Sequence, residues 1–259
     1  MYRRYALGKQ TFNELANEFA FSRRTLQRKF DELVIESQFP TASTAPINLV
    51  ADATFFGRTD GVLVLRANQL NVYWRFIQSE TVAQMSHAID FLKTNGYRLK
   101  SVTLDGKRGM INLFKQRYPA IPIQMCQFHQ VQIIRRYTTN NPKTDCGKAL
   151  KAIMACLTDC EQSVFQSLVS TLQEQYDTFL SERNDNGQYK HRQLRSAFRS
   201  LNTNMPYLFT YKNHPDLNIP NTTNSCDGSF AHWKQKLKIH RGLRRHRRNK
   251  MINFLLSQH

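Results

Sequence analysis

Ile47-Asn-Leu-Val-Ala-Asp52-Ala-Thr-Phe-Phe56, then Gly61-Val-Leu-Val-Leu-Arg66, then Leu70 through Ile77, is the stretch on which the fold turns. Three runs rich in β-branched and aromatic residues, separated by turn-sized gaps, predict an antiparallel meander of three strands. Asp60-Gly61, between the first two runs, reads as a hairpin turn without chemistry. Beyond the meander, Val82, Met85, Ile89 and Leu92 recur at spacings of three and four, which predicts a helix stopped by Asn95-Gly96. Ser101-Val-Thr-Leu-Asp105-Gly106 then reads as a fourth strand, Met110 to Tyr118 as a short helix, and Ile121 to Cys126 as a fifth strand.

Two of these strands deliver an aspartate, Asp52 and Asp105, to a sheet edge. Burying an unpaired carboxylate is costly, so a repeated strand-then-Asp arrangement asks for a cation. Asp at a strand end is equally an ordinary turn residue that bonds its own backbone. Position alone leaves both readings open.

Composition narrows the partners. The 259 residues carry 37 Lys+Arg against 19 Asp+Glu, a formal charge of +18, while 41% hydrophobic residues suffice for a real core. Such an excess points to a polyanion, with double-stranded DNA the leading candidate. No run approaches the roughly 20 apolar residues of a membrane span. The basic residues are spread over many elements instead of one amphipathic helix, which argues against a membrane surface. Five cysteines without regular spacing, and a start lacking an apolar leader segment, predict a reducing cytoplasmic location, nucleoid-associated in a prokaryote.

Residues 1–40 read as a small helical unit. Thr11-Phe-Asn-Glu14 is a capping box, and Ser22 caps a second helix with Leu26, Phe30 and Leu33 facing inward. Two short helices with a tight turn, the second rich in Arg and Gln, match a helix-turn-helix whose Arg23, Arg24, Gln27 and Arg28 reach phosphates or base edges. Ala20 occupies the turn position that usually favours Gly. A plain helical hairpin is the alternative. Residues 41–46, small and ending in Pro46, form a linker. Residues 140–219 read as nearly all helix, with stripes at Leu150, Ile153, Met154, Leu157 and at Val164, Phe165, Leu168, Val169, Leu172, Tyr176, Phe179. The end of the chain is strongly basic: Lys234, Lys238, Arg241, Arg244, Arg245, Arg247 and Arg248 have no acid among them, and the interleaved Trp233, Leu237 and Leu243 supply apolar anchors for docking.

The order β-β-β-α-β-α-β, with Asp52 in Val-Ala-Asp-Ala-Thr-Phe-Phe-Gly, Asp105 in Leu-Asp-Gly, Cys126-Gln-Phe-His129, Asn221-Thr-Thr-Asn-Ser-Cys-Asp227-Gly and His240-Arg-Gly-Leu243, resembles a Mutator-type DDE transposase over residues 47–259. The resemblance implies an α/β, ribonuclease-H-like core with a mixed five-stranded sheet and flanking helices. Its first part would be residues 47–139, split by an all-helical insertion at 140–219 and completed by a catalytic helix and basic segment at 220–259. It implies that Asp52, Asp105 and Asp227 hold two Mg²⁺ (or Mn²⁺) ions, Asp52 bridging, with no small-molecule cofactor. The reaction implied is cleavage at an element's terminal repeats and strand transfer into target DNA by a homo-oligomer. One residue departs from the family pattern: Asp227 stands where the family has Glu, and no Glu follows Glu182. A transposase-derived, catalytically impaired DNA-binding protein is therefore the second reading. Cys126 and His129 invite zinc, but a structural zinc wants four ligands and no suitable second pair lies nearby. A packing or hydrogen-bonding role beside the active site is the expectation.

Overall fold

The computed structural model describes residues 1–240 and 242–258. In chain order it runs α1 (Tyr2–Ala6), α2 (Phe12–Glu18), α3 (Arg23–Glu32), β1 (Ile47–Phe55), β2 (Gly61–Ala67), β3 (Leu70–Ile77), α4 (Val82–Thr94), β4 (Leu99–Leu104), α5 (Arg108–Arg117) and β5 (Ile123–Met125). Then come α6 (Gln127–Thr138), α7 (Asp145–Ala155), α8 (Gln162–Gln175), α9 (Asp177–Ser181), α10 (Arg192–Leu208), α11 (Thr210–Asn213), a 3₁₀ turn at Pro215–Leu217, α12 (Asn224–Ile239) and α13 (Arg245–Leu256). The strands form one five-stranded sheet in the order β3-β2-β1-β4-β5. It is mixed: β2 and β3 pair antiparallel, with an irregularity between Leu65 and Arg66, while β4 and β5 pair parallel. No helix among the described residues is long and apolar enough to cross a membrane, and all five cysteines are free thiols.

The chain divides into two compact units. The first comprises Met1–Ile47, Ala51–Arg98 and the residues from Asn224 onward. Its strand β2 buries Val62, Leu63, Val64 and Leu65 completely, and α4 packs on β3 with Met85, Ala88, Ile89 and Leu92 buried. From far along the chain, α13 also packs on β3, through the Trp74 side, and buries Met251, Ile252, Leu255 and Leu256. Its Asn253 amide is buried too: the oxygen accepts from Trp74 Nε1 at 2.7 Å and Ser37 Oγ at 2.8 Å, and the nitrogen donates to the Ile35 carbonyl at 2.7 Å.

The N-terminal helices of this unit form where their caps dictate. Thr11 and Glu14 make the reciprocal capping box, and the Ser22 hydroxyl accepts from Thr25 N–H. Between α2 and α3, Ala20 takes φ of +54°, the left-handed conformation that glycine adopts without strain, and Phe21 N–H closes the turn on Ala16 O. An aromatic cluster ties these helices to the chain's end: the Tyr2 ring packs edge-on against both Phe30 and Phe254, and Tyr5 packs against Phe12, Phe30 and His240.

The second unit comprises Asn48–Val50 and Leu99–Thr223. Its core joins β5 and α6, through Met125 and Ile134, to α7, α8 and α10, so the helices after residue 140 share one apolar interior with the strand before them. Leu150, Met154, Leu157, Phe165, Val169 and Leu172 lie in it as the helical stripes predict. Val164 and Leu168 do not, being 52% and 40% exposed, because α8 presents a narrower face than the stripe implies. The long helix α10 contributes Ala197, Phe198, Leu201 and Leu208.

Ala20→Gly is expected to raise stability by up to about 1 kcal/mol, relief of left-handed strain outweighing glycine's larger unfolded-state entropy. Denaturant melts of the two proteins decide it; a lower midpoint for the glycine variant would show the turn relaxed without strain.

Candidate functional site

Asp52 lies in β1, whose flanking Val50, Ala51 and Thr54 are buried, and is itself only 7% exposed. Its Oδ1 accepts from the neighbouring Ala53 N–H at 2.7 Å. Asp227 falls in the first turn of α12, where an acid also meets the positive end of the helix dipole. Between them in sequence terms, but beside both in this unit, is the fully buried Cys226. Burial pushes its thiol far above the ordinary range, and the negative charges of Asp52 and Asp227 push the same way against the opposing pull of Arg66. The first unit thus brings Asp52 and Asp227 to one buried group. Arg66 is fixed there by hydrogen bonds to Ser229 Oγ and, at 3.3 Å, to Asn71 Oδ1.

Asp105 belongs to the second unit, just past β4. Its Oδ1 accepts from Lys107 N–H at 3.1 Å, and its Oδ2 faces Lys107 Nζ at 3.4 Å. The turn reading weighed from the sequence is therefore realised at this residue. Gly106 is required behind it, with φ of +86° and a Cβ that would come within 2.5 Å of the Met125 methyl. Carboxylate oxygens are the right donor chemistry for a hard divalent cation. Among the described residues, no three His, Cys, Asp or Glu side chains are grouped closely enough to hold a metal ion.

The second unit also accounts for much of the Asn221-Thr-Thr segment. Asn221 exchanges two hydrogen bonds with Gln127, at 3.0 Å each, and the Thr103 hydroxyl donates to Pro220 O at 2.7 Å. Thr223 is fully buried, with its N–H donating to Cys126 Sγ at 3.2 Å and its hydroxyl 3.5 Å from the same sulfur and 3.4 Å from His129 Nδ1. Burial pushes the Cys126 thiol up, yet hydrogen bonds from His129 and Thr223 outweigh it and hold the thiol below its ordinary value. Cys126 and His129 thus secure the residue that immediately precedes α12.

The basic residues divide into two sets. Arg23, Arg24 and Arg28 on α3 are exposed, as are Lys234, Lys238 and Arg244; Gln27 is half-buried, and Arg241 lies outside the described residues. Arg28 makes an exposed, loose pair with Glu32 at 3.9 Å, and the remaining basic residues are engaged more closely by acids of the same unit. Arg247 makes a two-pronged pair with Asp31, Nε to Oδ1 at 2.7 Å and Nη2 to Oδ2 at 2.5 Å. Arg245 and Arg248 share Asp60, at 2.5 and 2.9 Å. Asp60, whose hairpin context promised no chemistry, therefore anchors the basic end of the chain. Sequence spacing gave no sign of it, because its partners lie far along the chain.

No family model matches the chain, and no curated protein matches it. Among solved structures, the Drosophila P element transposase strand transfer complex aligns over 95% of this chain and 88% of its own, at 10% identity and a TM-score of 0.48.

The hydrogen bonds from Arg247 hold the Asp31 carboxyl below its ordinary range. A depressed acid stabilises the fold above about pH 4, where the unfolded aspartate is ionised, and the benefit disappears as pH falls through the lower folded value. The stability gap between the native chain and Asp31→Asn is therefore expected to be constant near neutrality and to close in acid. Chemical melts from pH 7 to about 2 measure it; a gap that does not change with pH would remove the ionic contribution.

Proposed function

We propose that this protein is a DNA transposase of Mutator type, in which Asp52, Asp105 and Asp227 act together on the phosphodiester bond at an element's ends. The order of the five sequence motifs supports the reading. The single structural observation that carries it is that α12, whose first turn holds Asp227, is tied through Ser229 to Arg66 of β2, in the same unit as Asp52. Mg²⁺ or Mn²⁺ would supply activation of the attacking oxygen and neutralisation of the leaving one; the carboxylates of Asp52, Asp105 and Asp227 would hold the ions only once drawn together, since among the described residues they form no ready metal cluster. The chain's own part is to hold the carboxylates, with Asp52 fixed by its strand and Asp227 by the first turn of α12. Neighbouring Arg and Lys side chains draw in the polyanion. Cleavage frees a hydroxyl at the element's end, and the same three carboxylates serve its joining to target DNA, so no protein nucleophile is needed.

A second reading, a catalytically impaired DNA-binding protein descended from such an enzyme, is favoured by Asp227 itself. Its carboxyl is one methylene shorter than the glutamate of the resembled family, and a displacement of about 1 Å in a catalytic group can cost on the order of 100-fold in rate.

DNA fragments carrying the flanking terminal repeats, incubated with the full chain and Mg²⁺, test both. Asp52→Asn should abolish cleavage while DNA binding persists, and Asp227→Glu should keep or raise it. Cleavage unaffected by Asp52→Asn would eliminate the catalytic assignment. An inert native chain made active by Asp227→Glu would establish the second reading, and cutting without end joining would indicate a nuclease.

A further inference from the structure

The two ends of the chain, read from sequence as separate DNA-binding elements, build one groove. A cavity of about 830 Å³ is lined from α3 by Arg24, Gln27 and Arg28 and from the start of α13 by Arg244 and Arg247. A smaller one, about 220 Å³, continues it, sharing Gln27 and Arg247 and adding Arg23. Every side chain lining the larger cavity is polar or charged, the rest being Ser22, Thr25, Asp31 and Glu32. A peptide or membrane partner needs an apolar anchor, and the larger cavity offers none, whereas Phe12, Ile239 and Leu243 line the smaller one. In the larger cavity, exposed guanidinium groups with no apolar floor fit the phosphodiester backbone, which Arg recognises through paired hydrogen bonds.

The walls are held together by the C-terminal helices. Besides the Asp31–Arg247 pair, Lys250 Nζ donates to the carbonyls of Phe30 and Asp31, at 2.8 and 2.7 Å, which satisfies the end of α3 with a cation. Lys236 Nζ donates to Leu7 O at 2.8 Å, and His240 Nε2 lies 3.0 Å from Tyr5 O. Arg247 spends its fork on Asp31, whereas Arg24 and Arg244 have exposed side chains at the groove.

We infer that α3 and the start of α13 form a single surface for the backbone of duplex DNA, in which Arg24, Arg28 and Arg244 contact phosphates and Arg247, locked by Asp31, is a positioning residue that fixes the separation of the walls. The inference rests on the reading that the chain handles DNA, and it assigns the contact to one composite surface instead of two independent ones.

Binding of the full chain to a fluorescently labelled DNA duplex, followed by anisotropy over a salt series without divalent ions, tests it. Arg24→Ala and Arg244→Ala should each flatten the slope of log affinity against log salt by about 1. Asp31→Asn should weaken binding about 5-fold with the slope unchanged, and Asp31→Glu should restore it. An unchanged slope for Arg244→Ala would confine the contact to α3 and overturn the composite surface. A slope steepened by about 1 in Asp31→Asn, with tighter binding, would make Arg247 a phosphate contact and overturn its positioning role. Displacement of the duplex by polyglutamate at equal charge would point to an acidic protein partner and overturn the assignment to DNA. Thermal melts of each variant separate these outcomes from unfolding. Loss of Mg²⁺-dependent cleavage in Asp52→Asn leaves the salt slopes untouched, so a failed catalytic reading and a failed groove are told apart.

Discussion

Asn253 is a buried amide that must find partners for both its oxygen and its nitrogen, and it finds them in the Trp74 indole, the Ser37 hydroxyl and the Ile35 carbonyl. Leaving any of these groups unpaired in the interior would cost about 1–3 kcal/mol, a large share of a domain's stability. The arrangement fixes α13 in rotation and register against β3 and the segment that leaves α3. Everything basic at the start of α13 inherits that register. One turn and a half earlier in the helix, Arg247 meets Asp31, and Arg245 and Arg248 straddle Asp60.

A consequence is that the chain's large positive charge is not all directed outward. Three tail arginines are matched by acids of the same unit, while Arg24, Arg28, Lys234, Lys238 and Arg244 remain exposed. Counting basic residues from sequence therefore overstates how many are available to a polyanion. The pairs are partly solvated, so each contributes modestly to stability, but the two-pronged geometry at Asp31 gives direction as well as attraction.

Much of the sheet was legible because its signals are local. Alternation, β-branched residues and turn spacing placed β1, β2 and β3, and the spacing of Met85, Ile89 and Leu92 placed α4. Capping residues, equally local, placed the starts of α2 and α3. Harder to read was α13, whose first half is Arg245-His-Arg-Arg-Asn-Lys250 and whose second half is mostly apolar, so no stripe runs along it. The helix α6 also escaped notice, since its buried residues include Gln127 and Gln130, polar side chains paid for by hydrogen bonds to distant carbonyls and hydroxyls. At the carboxylates, sequence could name Asp52, Asp105 and Asp227 but could not show that Asp105 bonds its own turn or that Cys226 lies beside the other two. Those facts depend on partners that only the tertiary structure supplies.

The dependence of α1 to α3 on α12 and α13 also orders events in time. While the chain is being synthesised, the first thirty or so residues emerge long before the helices that secure Phe30, Asp31, Tyr5 and Leu7. Short helices are marginal on their own in water, and closing so long a loop is slow compared with local pairing. The hairpin of α2 and α3 is thus made as an unfinished element, and its surface becomes competent only after α12 and α13 have been made and have folded back on it.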